Sequence, residues 1–321
     1  MISHSILKSF LNLSSISKHE WDDLGETINH NLPRQEETIT EVLLLNIKRW
    51  VPCIDKIIGF SKGEEGRNGA DFQWTIINHK QNISYNMRFQ AKRIQSNLTE
   101  YKDINRHIGN DKARPMQIDV FLNSSKLANC VPLYIFYNYL NNLSILPDKC
   151  PAIHCITNCI SNKLCITNKQ FSHTHKVWGI AISPARKVLN NLNKTILTKR
   201  NKTAHNQKVA THIKDSMPIR CLFCPKYLGI TDEGEIDPDP YMGNFLDVII
   251  QRISDLYHEH GLDESEDYDP NLGVVQGTPE NVQEVLNTLK NFTDSPIPEE
   301  RLTALSEKFD GCGALMITEI N

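Results

Sequence analysis

The sequence predicts an α/β protein, more strictly α+β: a core of order α-β-β-β-α-β around a mixed central sheet, plus a mostly helical C-terminal extension. Three observations predict it. A helical apolar pattern fills EETITEVLLLNIKRWVP at residues 36–52. Two alternating runs, DFQWTII and ISYNMRF, flank the polar NHKQN. The continuous apolar run VPLYIFYNYL at 131–140 is of the kind buried on both faces of a sheet.

Taken in order, the first core helix places Val42, Leu43, Leu44, Leu45, Ile47 and Val51 on a broad apolar side and stops at Pro52. Thr38 with Glu41 three residues on has capping-box form. IDKIIGF at 54–60 is a short β-rich run, and SKGEEGRNG is a polar connection. In the next strand Phe72, Trp74 and Ile76 share a face; in its partner Ile83, Tyr85, Met87 and Phe89 do, so a hairpin is the natural pairing. MQIDVFLNSSKLAN predicts the second helix through Ile118, Phe121, Leu122 and Leu127. Downstream, THKVWGIAISPARKVLNNLNKT reads as a strand or loop passing into a basic helix, and CLFCP as a tight turn. MGNFLDVIIQRISDLYHEHG, TPENVQEVLNTLKNF and EERLTALSEKF are helices, and ALMITEI is a terminal strand. The expected divisions are a helical lead at 1–34, the core at 35–145, a basic cysteine-containing region at 146–230, and an acidic, mainly helical region at 231–321.

Composition bounds the function. A chain of 321 residues, 40% hydrophobic and 23% charged, can bury a substantial core and reads as a soluble globular protein. No apolar run reaches spanning length, so no membrane partner is expected; the first residues read as an amphipathic helix rather than a signal peptide. Nine unevenly spread cysteines argue against a secreted disulfide framework and for a cytoplasmic protein. The net charge of −3 conceals an asymmetry: residues 149–214 contain no Asp or Glu, whereas acids crowd DEGEIDPDP and DESEDYD. The basic middle reads either as a polyanion-binding surface or as a solvated face balanced by the acidic tail. Cys221 and Cys224 in CLFC have the spacing of half a structural Zn²⁺ site; the alternative is two buried cysteines beside a turn. The sequence holds no Walker A loop, no G-x-G-x-x-G and no G-x-S-x-G, which argues against an NTP-driven enzyme, a nicotinamide dehydrogenase and an α/β-hydrolase.

The residues that invite chemistry are Asp71 and Gln90-Ala91-Lys92. If the two strands are neighbours, Asp71 starts one where the other ends, and Gln90 and Lys92, two apart, share a face. A carboxylate, an amide oxygen and the Ala91 carbonyl offer hard oxygen ligands to Mg²⁺ or Mn²⁺, and a lysine ammonium beside them can hold a nucleophile and stabilise phosphorane-like charge. Glu37 and Glu41 lie one turn apart on the first helix; the capping-box reading claims Glu41, which leaves Glu37 as the helix acid.

The element order, the helix glutamate, Asp71 and Gln90-Ala91-Lys92 together resemble the PD-(D/E)XK restriction-endonuclease-like superfamily, in particular its Mrr-like branch, where Gln replaces the second acid. More narrowly EET-x-T, EEGRNGADFQW, FQAKR and PLYIFYNY resemble an uncharacterised bacterial family of this type, over about residues 35 to 140. The resemblance implies Mg²⁺- or Mn²⁺-dependent hydrolysis of phosphodiester bonds in DNA, in bacterial defence against foreign DNA. By position it makes Asp71 the metal-binding Asp, Gln90 the Glu/Gln, Lys92 the catalytic Lys and Glu37 the helix acid. Arg93, Gln117, Lys199, Arg200 and Lys202 are the candidates for contacting nucleic acid, and a homodimer would supply two sites for two strands. The alternatives are a noncatalytic nucleic-acid- or partner-binding protein on a degenerate nuclease fold, and a ribonuclease of the same chemistry.

Overall fold

The computed structural model describes residues 2–32, 34–60, 69–108, 113–147, 175–194, 196–197, 203–204, 206–223, 245–262, 269, 271–293 and 295–320. In chain order its helices and strands are α1 (Ile2–Asn29), α2 (Glu36–Trp50), β1 (Lys56–Gly59), β2 (Phe72–Asn78), β3 (Ile83–Arg93), α3 (Gln117–Leu127), β4 (Val131–Tyr137), β5 (Ile180–Pro184), α4 (Ala185–Asn193), β6 (Ile196–Leu197), β7 (Thr203–Ala204), α5 (Val209–His212), β8 (Met217–Pro218), α6 (Phe245–Glu259), β9 (Val274–Gln276), α7 (Glu280–Asn291), α8 (Glu299–Lys308) and β10 (Ala314–Ile320). The class is α+β, with a mixed open sheet in the order β1-β10-β2-β3-β4-β5-β8 and β9 added on β3. From α2 to β4 the succession is α-β-β-β-α-β.

The chain forms two compact units, each assembled from three separate stretches: Met1–Cys53, Lys92–Ile104 and Tyr134–Tyr268 in the first, Ile54–Ala91, Asn105–Leu133 and Asp269–Asn321 in the second. In the second unit β2 and β3 pair antiparallel with Phe72 opposite Phe89, and their rings stack at 4.7 Å. The C-terminal strand β10 runs parallel to β2 and antiparallel to β1, separating the two. The sequence marked β10 as a strand, but an apolar run carries no information about which neighbours it inserts between. One core cluster joins Val282, Val285 and Leu286 of α7 and Leu305 of α8 to Ile58, Ile77, Leu315 and Ile317 of the strands.

The first unit is organised around α1, which buries Phe10, Leu13, Ile16, Trp21 and Leu24. Trp21 meets His175 at 5.2 Å and Tyr139 at 5.6 Å. Helix α2 buries Ile39, Leu43, Leu44 and Ile47, whereas Val42 and Leu45, expected on its apolar side, are exposed. A 3.6-residue period allows only one stripe inward, so four consecutive apolar residues cannot all be buried. The Thr38–Glu41 capping box does not form, because the helix begins at Glu36 and Gln35, not Thr38, takes the N-cap position.

His212 lies fully buried in this unit, its Nε2 2.9 Å from the carbonyl of Asn206. Burial pushes its pKa down to about 4, outweighing the backbone hydrogen bond and Asp215, which pull it up. Between that value and the ordinary 6.5 the unfolded chain binds the proton and the folded one does not. The contribution is therefore present above about pH 6.5 and lost as pH falls towards 4. We expect urea unfolding of the wild type to lose on the order of 3 kcal/mol more between pH 7 and pH 4 than that of His212→Gln, which has no imidazole to protonate. Equal losses would exclude His212 as the cause.

Candidate functional site

Two clusters lie along β3, one in each unit. In the second unit, Asp71 precedes β2 and donates its N–H to the Phe89 carbonyl at 2.8 Å, which sets it opposite Gln90. Its Oδ2 accepts the Gln90 Nε2 at 2.6 Å and the Ala91 backbone N–H at 2.6 Å. Gln90 Nε2 also lies 3.3 Å from the Ala91 carbonyl oxygen. Gln90 and Ala91 are buried, and Gln90 Oε1 is a buried oxygen with no hydrogen-bond partner among the described residues. Such an acceptor calls for a donor, a water or a cation. The chain enters Asp71 through Gly69 at φ +71, where an added Cβ would stand 3.1 Å from Phe121 Cβ and 3.2 Å from the Gln117 carbonyl oxygen. Glycine is required there for both the left-handed backbone and the close approach.

In the first unit, the Lys92 side chain is buried and its Nζ donates to Glu36 Oε1 at 3.3 Å; the Arg93 N–H donates to Glu36 Oε2 at 3.1 Å. Burial raises the Glu36 pKa above the ordinary carboxylate value, opposed by the Lys92 charge and by the hydrogen bonds from Lys92 and Arg93. The helix acid that reaches Lys92 is thus Glu36, while Glu37 and Glu41 are exposed. Sequence reasoning missed Glu36 because it weighed only Glu37 and Glu41 and assigned Glu41 to a capping box that does not form. The available signal was that Glu36, Ile39, Leu43 and Ile47 fall at helical spacing with the buried residues. Glu36→Gln is expected to cost on the order of 3 kcal/mol by leaving the buried Lys92 ammonium without its counter-charge, and Glu37→Gln less than about 0.5 kcal/mol. Denaturant midpoints of the two variants check this; equal midpoints would remove Glu36 from the cluster.

Arg93 is half-buried, its Nη1 donating to the Ile94 carbonyl at 3.3 Å, with Nε buried and without a hydrogen-bond partner among the described residues. Gln117 is the first residue of α3; its N–H bonds the Arg106 carbonyl and its Oε1 is buried without a hydrogen-bond partner among the described residues. Cys221 is buried and its carbonyl accepts the Arg252 Nε at 2.9 Å. Cys224, Lys199, Arg200 and Lys202 lie outside the described residues, and with them the zinc pairing and most of the basic segment. Among the described residues no group of three His, Cys, Asp or Glu side chains can hold a metal. A cation in the second unit would have to rest on Asp71, the Gln90 amide oxygen and the Ala91 carbonyl. That set, with one carboxylate and an orphaned amide oxygen, fits a hard divalent cation that also takes water and substrate oxygens. Burial pushes the Cys130 and Cys312 thiols up to about 11 and about 12, which disfavours the thiolate form.

No helix among the described residues is long and apolar enough to cross a membrane. No curated protein and no solved structure matches the chain. A family model does match, over residues 11–310, and by that match the chain belongs to DUF6615, a family of unknown function.

Proposed function

We propose that this protein is a metal-dependent endonuclease that hydrolyses phosphodiester bonds of DNA, on a restriction-endonuclease-like core. The observation that carries the reading is the Asp71 carboxylate held by the Gln90 side chain and the Ala91 N–H, with Lys92 following on the same strand. Asp71, Gln90 and the Ala91 carbonyl would hold Mg²⁺ or Mn²⁺. When bound, the cation supplies Lewis-acid polarisation of a phosphate oxygen and a water of lowered pKa.

The chain's own groups do the rest. Gln90 now points its N–H at Asp71, and a half-turn of the amide would bring Oε1 to the same carboxylate. Two oxygens side by side repel, so that arrangement is stable only with positive charge between them. The Lys92 side chain is buried beside Glu36, in surroundings poor in water, where its N–H donors would stabilise charge growing on the transferred phosphoryl group more strongly than in bulk solvent. Glu36 fixes that ammonium in place. Because burial raises its pKa, Glu36 loses its charge at a higher pH than an ordinary glutamate, and the tether is released as pH falls.

The test is incubation of the purified protein with supercoiled plasmid, single-stranded DNA and RNA, each with Mg²⁺, Mn²⁺ or EDTA. Cleavage of DNA that EDTA abolishes is expected. Cleavage of RNA alone would make the enzyme a ribonuclease, and salt-sensitive binding without cleavage of any substrate would leave a binding protein on a degenerate nuclease fold. A role in defence against foreign DNA, and pairing of two copies to cut two strands, belong to the same proposal.

A further inference from the structure

The second unit holds a cavity of about 900 Å³ whose floor is the polar face of β2 and β3. On that face Gln73 stands opposite Arg88 and Thr75 opposite Asn86, continuing the row that begins with Asp71 and Gln90. Arg88 is only 1% exposed, and three different groups hold its guanidinium. Nε donates to Gln73 Oε1 at 3.2 Å, Nη1 to the Ser124 carbonyl at 3.3 Å, and Nη2 to Asp310 Oδ2 at 2.9 Å. The floor is further locked by Gln73 Nε2 donating to Thr75 Oγ1 at 3.2 Å and Thr75 Oγ1 to Asn86 Oδ1 at 2.8 Å.

The three partners are unequal. Gln73 sits inside a strand and Ser124 inside a helix, so both are fixed. Asp310 lies just beyond α8 in a left-handed turn, at φ +55 and followed by Gly311 at φ +80, and its side chain is 56% exposed. A buried guanidinium needs an anion, because leaving it uncompensated costs several kcal/mol. Here the anion is supplied from a turn in water, and Arg88 and Asp310 both line the cavity. The cavity walls add an apolar surface from Val120, Leu127, Val275 and Pro279, with Leu127 81% exposed. A volume of this size falls in the roughly 300–1,000 Å³ range of small-molecule sites.

We propose that this cavity binds a small organic oxyanion, a phosphate monoester or carboxylate of about nucleotide size, whose anionic group takes the place of Asp310 on Arg88. The fork of guanidinium donors suits a planar or tetrahedral oxyanion, and its orientation is already fixed by Gln73 and Ser124. The organic body would lie along the apolar wall, and Asp310 would swing into solvent. This site is separate from the nuclease reading and stands without it, since it requires neither metal nor cleavage.

The experiment is a thermal-unfolding and calorimetric titration of the full chain in metal-free buffer. The probes are 5′-AMP, adenosine, inorganic phosphate and malonate, against NaCl at equal ionic strength. A saturable rise in midpoint with 5′-AMP but not with adenosine is expected; a rise with malonate alone would assign a carboxylate ligand in place of a phosphate. Asp310→Asn, which removes the competing carboxylate, should bind at least about tenfold tighter. Arg88→Lys, checked for folding by circular dichroism, should bind at least about tenfold weaker because it loses the fork. The proposal is overturned if no anion raises the midpoint beyond the NaCl control, or if folded Arg88→Lys binds as the wild type does.

Discussion

Replacing Lys92 by methionine is expected to lower Mg²⁺-dependent DNA cleavage by about 10³-fold, the scale seen when one preorganised charge or donor is removed from a developing oxyanion. Methionine keeps the apolar stem and removes the ammonium. The fold should tolerate the loss, since Glu36 already has a raised pKa and, without Lys92, takes up a proton rather than remain a buried lone charge. Asp71→Asn should fall to a similar degree by a different route: the amide still fits between Gln90 and Ala91 but brings no negative charge to a cation. Cleavage rates with Mg²⁺ and Mn²⁺, together with far-ultraviolet circular dichroism, separate catalytic loss from unfolding. If folded Lys92→Met cuts plasmid at the wild-type rate, the nuclease proposal is wrong.

Gly179→Ala is expected to have the largest effect on stability, roughly 3 kcal/mol or more. A Cβ there would lie 2.0 Å from the Ser17 carbonyl oxygen and 3.0 Å from the Trp21 backbone nitrogen. Both belong to the backbone of α1, which cannot give way as a flexible side chain would, so the helix must shift off the 175–179 segment. Relieving that clash would disturb Trp21 against His175 and Tyr139. Gly59 is the control, with nothing within 4 Å of its added Cβ. Gly59→Ala should be neutral or stabilise by about 0.5–1 kcal/mol through the lower entropy of the unfolded chain. Urea midpoints of the two variants test the contrast, and similar midpoints would mean that α1 is not held as tightly as the contact implies.

The hairpin of β2 and β3 was legible because its signal is local: alternating side chains, a polar turn between two runs, and residues 90 and 92 necessarily on one face. Asp71 opposite Gln90 followed from the same register. Glu36 was legible as an inward-facing acid, since it shares a helical stripe with Ile39, Leu43 and Ile47, but its partner was not, because Lys92 lies 56 residues further along the chain. Arg88 was overlooked for another reason. A charged residue in a strand reads as solvent-facing, and only the arrival of Asp310, 222 residues later in the chain, makes its burial tolerable.

By itself the sequence marked most of the helices, the strands β1 to β4 and β10, and which chemical groups share a face of β3, since these depend on periodicities within one element; it left β5 as strand or loop and did not mark β9. Tertiary structure alone decided that β10 separates β1 from β2, that Glu36 meets Lys92, and that Asp310 covers Arg88. Those three facts are contacts between residues far apart in the chain. Each is settled by which buried charge or open strand edge finds a partner, and that choice is made only when the whole chain has packed.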